Sequence, residues 1–216
     1  MRNLRMSILV IASTKNEIAP FLEKYPEADF LITGVGIPAS MFQIMDCIHQ
    51  NKYQFLIQVG VAGSYSKAFK LGEAFCVEKD CFGDLGVIEN DKLNSLFDIG
   101  LAEQNESPFK EGWLINENSF LDLHNTVIAI TVNLLTENNK HIEMLKNKYQ
   151  PDIETMEGAV IHYIGLKMNI PFLQIRGISN EVGERDKSKW RMKEAIESSN
   201  KLLIAFYENY ISQNKK

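Results

Sequence analysis

The residues best suited to chemistry in this 216-residue chain fall at four places: Glu17, the stretch Gly60-Val61-Ala62-Gly63-Ser64, the pair Met156-Glu157, and the pair Ser179-Asn180. One carboxylate can take a proton from water while a second accepts hydrogen bonds from hydroxyl groups. An amide can donate to an atom that is gaining charge, a methionine offers an adaptable apolar wall, and bare glycine lets a flat ring approach the backbone. Such a set suits cleavage of a purine nucleoside at its N-glycosidic bond. The transition state of that reaction is oxocarbenium-like, so it needs a carboxylate to orient water and partners for the sugar hydroxyls. The departing base needs its developing negative charge stabilised. Nothing in the set calls for a metal or an organic cofactor. Each residue also has a plainer reading. Glu17 in a first helical turn complements the helix dipole, Met156 is a core methionine, and Asp84, held between glycines, is a turn residue.

To act together, these residues must be carried to one rim. Ser7 to Ala12 (SILVIA) reads as a strand covered on both faces, and Ser13 or Thr14 can cap a helix from about Lys15 with Glu17 in its first turn. Phe30 to Thr33 predicts a second strand. Gly34-Val35-Gly36 follows, then a helix over Ala39 to Gln50 with Met41, Ile44, Met45 and Ile48 as its core face. There is no third glycine in register and no GK[ST], so neither a dinucleotide fingerprint nor a P-loop is supported. Phe55 to Val59 predicts a buried strand ending in the glycine-bearing turn Gly60 to Ser64. Ala74 to Glu78 and Thr126 to Val132 add strands, Asn90 to Glu117 reads as a loop-rich excursion, and His141 to Lys148 as a short helix. Glu154 to Glu157 is an acidic entry to an apolar helical run, Val160 to Met168, that Asn169 and Pro171 end. Pro171 to Ile178 predicts a strand with Ser179-Asn180 at its carboxyl end, where open α/β sheets bind ligands. An amphipathic helix from about Ser188 or Lys193 to Ile211 closes the chain, and Trp190 at its opening reads as core. The order is that of one α/β domain over residues 1–216 with a mostly parallel central sheet.

Composition narrows the partner. The chain carries 23 basic against 28 acidic residues, a formal charge of −5 with no basic cluster, which argues against nucleic acid or an anionic membrane surface. The apolar run Ile8 to Ala12 is too short for a membrane span or a signal core. Cys47, Cys76 and Cys81 form neither a disulfide framework nor a ligand pattern, and His49, His124, His141 and His162 lack paired-ligand spacing. A cytoplasmic protein with a small-molecule partner and no metal is expected.

Five stretches together resemble the family of purine nucleoside phosphorylases and nucleosidases: TGVGIPAS (Thr33 to Ser40), VGVAGS (Val59 to Ser64), KLGEAF (Lys70 to Phe75), ETMEGA (Glu154 to Ala159) and PFLQIRGISNEVG (Pro171 to Gly183). They fall in family order along nearly the whole chain. FGDLG (Phe82 to Gly86) and SNEVGERDKSKW (Ser179 to Trp190) resemble stretches of one hydrolytic branch. The resemblance implies a three-layer α/β/α sandwich with a mostly parallel or mixed sheet, no cofactor, and a homo-oligomer. It assigns Glu17 to activating the attacking water, which overturns the positional reading. It assigns Glu157 to the ribose hydroxyls, Met156 to the base and sugar, and the backbone of Val61, Ala62 and Gly63 to the base.

Two departures from the family carry information. Asn180 stands where adenine-specific members carry an aspartic acid; an asparagine cannot give a proton to N7, but it can donate a hydrogen bond toward N7 or O6. Asparagine can also read adenine; with the branch motifs, it favours hypoxanthine as the leaving base. Gln58 and Val61 stand where phosphorylases hold phosphate, and no arginine lies among Thr14 to Glu17, so water is the better nucleophile. The cluster Glu184-Arg185-Asp186-Lys187 is either a solvated loop or a device in which Arg185 meets a carboxylate beyond the ribose while Trp190 packs a ring. The rival readings are an adenine-releasing nucleosidase, a phosphorylase, and a non-catalytic nucleoside-binding protein on the same fold.

Overall fold

A computed structural model describes residues 7–118, 121 and 125–213, so His124 lies outside the described residues. The apolar runs build the centre. Strand β1 (Ile8–Ala12) is buried at every residue and lies between β2 (Phe30–Ile32) and β3 (Phe55–Ser64), parallel to both. Alternation sends Val10 and Ile57 to one face, where helices α1 (Lys15–Lys24) and α5 (Met192–Gln213) pack with Phe21, Leu203 and Phe206. Leu9, Ile11 and Leu56 face the other way, against α2 (Ile37–Gln50) and α4 (Gly158–Met168) through Ile44, Ile161 and Ile164. These two cores give the three layers.

The sheet is mixed, and one half of it closes on itself. Strand β10 (Phe172–Glu181) runs parallel to β3 and antiparallel to β4 (Ala74–Asp80). From β4 the pairing passes to β8 (Thr126–Thr131), then to β9 (Ile153–Thr155), and β9 returns antiparallel to β3. The long β3 joins both halves: it pairs with β1 as far as Gln58 and with β9 from Gly63 onward. Between those points residues 59–62 have β10 on one side and an open edge on the other. Peptide N–H groups there are available to side chains.

Several local expectations are corrected. Gly60 to Ser64 is not a turn but the second half of β3. Asn180 does not follow its strand but lies inside β10, at a register shift between Ile178 and Asn180. Met45 is 40% exposed and so is not core, although Met41 does pack against Ile44. The excursion opens with the turn, Asn90 and Asp91 at φ of 50° and 62°, and second strand, β6 (Lys92–Ser95), of a hairpin whose first strand, β5 (Gly86–Glu89), precedes it, and it also holds β7 (Leu114–Ile115), which pairs with β4. Helix α3 (Asn139–Tyr149) is capped by the Asn138 side chain, and Asn169 ends α4 in the left-handed region as anticipated. Among the described residues no helix is long and apolar enough to cross a membrane.

Candidate active site

Glu17, Val61, Ala62, Gly63, Met156, Glu157, Asn180 and Arg185 all line one cavity of about 600 Å³ at the open edge of β3. A second cavity, of about 520 Å³, is walled by Phe82, Phe97, Phe109 and Trp113 and contains none of these residues.

Glu17 is placed by its own helix start. It is the third residue of α1, and its Oε2 accepts from both the backbone N and the Oγ1 of Thr14 at 2.8 Å, the reciprocal half of a capping box. Its Oε1 faces the open edge of β3, 3.4 Å from the Val61 N–H. One turn on, Pro20 interrupts the helix, and Asn200 of α5 is inserted into the hydrogen-bond ladder. The Phe21 N–H, which would normally reach the Glu17 carbonyl, donates to Asn200 Oδ1 at 3.1 Å, while Asn200 Nδ2 donates to the Glu17 carbonyl at 2.8 Å. The acid is thereby tied to the C-terminal helix as well as to its cap.

The partner that sequence reasoning missed is Arg176. It lies on β10 opposite Gly60 and is fully buried, with Nη2 donating to Gln58 Oε1 at 2.6 Å. Among the described residues its Nε and Nη1 have no hydrogen-bond partner. A side-chain carbon added at Gly60 would stand 2.5 Å from Arg176 Nη1 and 2.9 Å from Glu17 Oε1, so glycine here lets a guanidinium and a carboxylate close onto the β3 backbone. Gln174, two residues earlier, points to the same face, and that alternation of polar side chains in an otherwise apolar strand was the available signal. Behind the arginine, Asp80 is fully buried. Burial pushes its carboxyl up to about 7, against the Thr131 hydrogen bond and the Arg176 charge, which both favour the ionised form.

Glu157 caps α4 and is 5% exposed. Its Oε1 accepts from the Gly36 N–H at 2.8 Å, so the Gly34-Val35-Gly36 loop serves to hold this carboxylate. Gly36 does so at φ +94°, a conformation that favours glycine. Nothing among the described residues bonds Oε2, the oxygen left for a ligand. Met156, half-buried, lies beside it in the cavity wall.

Asn180 sits in one row with Gly63 of β3 and Glu154 of β9. Its amide orientation is fixed by chemistry. The atom 2.8 Å from the Glu181 carbonyl must be the nitrogen, because that carbonyl can only accept, and Ser179 Oγ then donates to Oδ1 at 2.7 Å. The second amide N–H is left for the cavity. Glu154, also missed, is 7% exposed and accepts from the Tyr65 hydroxyl at 2.8 Å. Burial raises its pKa, opposed by the Tyr65 hydrogen bond and the Arg185 charge.

Gly183, Glu184, Arg185, Lys187 and Trp190 form the outer wall, so Glu184, Arg185 and Lys187 of the charged cluster border the cavity, while Arg185, Asp186 and Lys187 are exposed to solvent. Trp190 is half-buried on that wall and not in the core: α5 begins only at Met192, and the indole N–H donates to the Glu184 carbonyl at 3.1 Å. Asp84 is bonded by the Asn133 N–H at 2.6 Å and lies outside this cavity, as a turn residue would.

Comparison with known proteins agrees with this construction. The phosphorylase superfamily matches residues 21–208. A futalosine hydrolase of Thermus thermophilus is 29% identical over 203 residues, covering 87% of this chain and 89% of the relative. One of Acidothermus cellulolyticus is 26% identical over 174 residues, covering 78% and 70%. Among solved structures, a Helicobacter pylori 5'-methylthioadenosine/S-adenosylhomocysteine nucleosidase (MTAN) mutant superposes with a TM-score of 0.80 at 15% identity, over 95% of this chain and 100% of the other. A futalosine hydrolase from the same species gives 0.77 at 15%, over 94% and 98%. The architecture is therefore common to both kinds of nucleosidase.

Proposed function

The chain belongs to the phosphorylase superfamily, and within it we propose that this protein hydrolyses futalosine at its N-glycosidic bond, releasing hypoxanthine and dehypoxanthinylfutalosine on the futalosine route to menaquinone. The observation that carries the reading is the Asn180 amide. Its nitrogen is fixed by the Glu181 carbonyl, so the residue offers the base a hydrogen bond and no proton.

In this reading a water molecule is held by the Glu17 carboxylate where it lines the cavity, and the Arg176 guanidinium packs behind that carboxylate against Gly60. As the bond from C1′ to N9 breaks with its electron pair going to the purine, water adds to C1′ and Glu17 takes its proton, and the departing purine anion is protonated from solvent. Glu157 Oε2 receives the ribose hydroxyls and Met156 packs along the sugar and base. Val61, Ala62 and Gly63 form the backbone floor. Negative charge gathers on the 6-oxopurine as it leaves, and the Asn180 N–H stabilises it at the N7–O6 edge. Phosphate is a poor alternative nucleophile here, because the acid Glu17 stands where a phosphate needs cations, and the cations among the described lining residues, Arg185 and Lys187, belong to the outer wall. In this reading Arg185, on the outer wall beside Trp190, meets the carboxylate at the far end of the substrate.

The protein works as a cytoplasmic homo-oligomer in this account. Val35, Phe42 and Met45, 58%, 68% and 40% exposed, support an apolar contact surface, and Val35 also lines the cavity. The test of function is base release from futalosine, methylthioadenosine and inosine, each with and without phosphate. Hypoxanthine from futalosine alone, independent of phosphate, is the expected result; adenine release or a phosphate requirement would overturn it.

A further inference from the structure

Glu154 is a buried acid that the mechanism above does not use. Its row across the sheet, Glu154 of β9, Gly63 of β3 and Asn180 of β10, brings three residues to the floor of the cavity. A side-chain carbon on Gly63 would stand 3.2 Å from Val182 Cγ2, 3.4 Å from Asn180 Nδ2 and 3.6 Å from Glu154 Cγ. The Asn180 and Glu154 side chains therefore flank the bare backbone on which a flat ring would rest. Tyr65 donates to Oε2 of Glu154, and among the described residues nothing bonds Oε1.

The floor thus carries a fixed N–H donor on one side and a carboxylate acceptor on the other. A 6-oxopurine matches that pair, since O6 and N7 accept while the neighbouring N1–H donates. A 6-aminopurine does not, because its N1 presents a lone pair to the carboxylate. We infer that Glu154 is the specificity-determining residue for the base, accepting the N1–H of hypoxanthine through Oε1 while Asn180 donates to the opposite part of the same edge. This deepens the proposed function and rests on its placement of the base over Gly63. It also explains why Tyr65 reaches 2.8 Å to this acid: a hydroxyl holding one oxygen aims the other.

The test is calorimetric titration of hypoxanthine, 1-methylhypoxanthine and adenine into the wild type and into Glu154→Gln, with futalosine turnover by the wild type measured alongside. The replacement keeps the shape of the side chain, but Tyr65 holds its carbonyl oxygen and turns an N–H toward the base. The wild type is expected to bind hypoxanthine about 100-fold more tightly than adenine or 1-methylhypoxanthine, as follows when a site built for one hydrogen bond meets a ligand lacking it. In Glu154→Gln the preference for hypoxanthine over adenine should vanish or reverse. An unchanged ratio in the variant would overturn the inference, as would wild-type protein that binds 1-methylhypoxanthine as well as hypoxanthine, a result that needs no variant. Futalosine turnover without N1–H dependence would sink the Glu154 assignment and leave the function standing. The expected binding pattern without turnover would do the reverse.

Discussion

Alanine at Gly60 is the sharpest perturbation of the proposed water site. Gly60 is not among the glycines at positive φ, so its backbone accepts alanine, and the whole effect comes from the added carbon. That carbon would sit 2.5 Å from Arg176 Nη1 and 2.9 Å from Glu17 Oε1, where unstrained contacts need about 3.5 Å. One or both groups must retreat by up to about 1 Å. Neither is free to do so, since Arg176 is fully buried with Nη2 bonded to Gln58 and the Glu17 carboxylate is held by Thr14. A misplacement of that size costs on the order of 100-fold in rate, and full loss of the base costs about 10²–10⁴-fold. We expect kcat for hypoxanthine release from futalosine to fall by about 10²–10⁴. Overpacking should cost about 1–3 kcal/mol of stability, a drop of several degrees in melting temperature. Hypoxanthine affinity, set at the Gly63 row, should stay within about threefold. The assays are steady-state base release, calorimetric binding of hypoxanthine and a thermal melt. A folded Gly60→Ala protein with kcat within about fivefold of wild type would refute the reasoning.

Other consequences follow from single contacts. Asn200→Leu removes the amide bonded to the Glu17 carbonyl and the Phe21 N–H, so it should lower kcat more than hypoxanthine affinity, while destabilising the fold by about 1–3 kcal/mol. Equal loss of both parameters would argue against a positioning role. Arg185→Ala should raise KM for futalosine about tenfold and leave the affinity for free hypoxanthine, which lacks the far carboxylate, nearly unchanged; a matched loss on both ligands would contradict that contact. Burial lowers the pKa of His162 to about 4, so the native state keeps it neutral and the stability this contributes is present above about pH 6.5 and lost as pH falls toward 4. Asp80, raised to about 7, acts in the opposite sense, so the measurement is a difference. The denaturant stability of wild type minus His162→Asn should shrink by about 2 kcal/mol between pH 7 and pH 5, and parallel profiles would dispose of the argument.

Long apolar runs made β1, β8 and most of β10 legible, because strands covered on both faces read as continuous hydrophobic sequence. The eight candidate site residues, which line one cavity, stood out by residue type or by motif resemblance, and for Glu17 and Met156 it was the resemblance that outweighed the plainer reading. Glycine in Gly60 to Gly63 suggested a turn, whereas these glycines keep β3 clear of the side chains of Arg176, Glu17 and Asn180, a tertiary reason with no local signature. Strand β9 was missed because three residues with Glu and Thr among them carry no periodicity; their place comes from pairing with β3 and β8 at once. Ring closure likewise depends on β10 reaching both β3 and β4, which sequence order does not reveal. Asn200 looked like one polar position on an amphipathic helix, and its role appears only where Pro20 opens the ladder of α1.

The most direct test of the central claim is the mass of the sugar product formed when wild-type protein acts on futalosine in phosphate buffer. Water held by Glu17 predicts hypoxanthine together with a sugar bearing a free hydroxyl at C1′, at the same rate when phosphate is omitted. A sugar 1-phosphate, or no cleavage of futalosine at all, would contradict it.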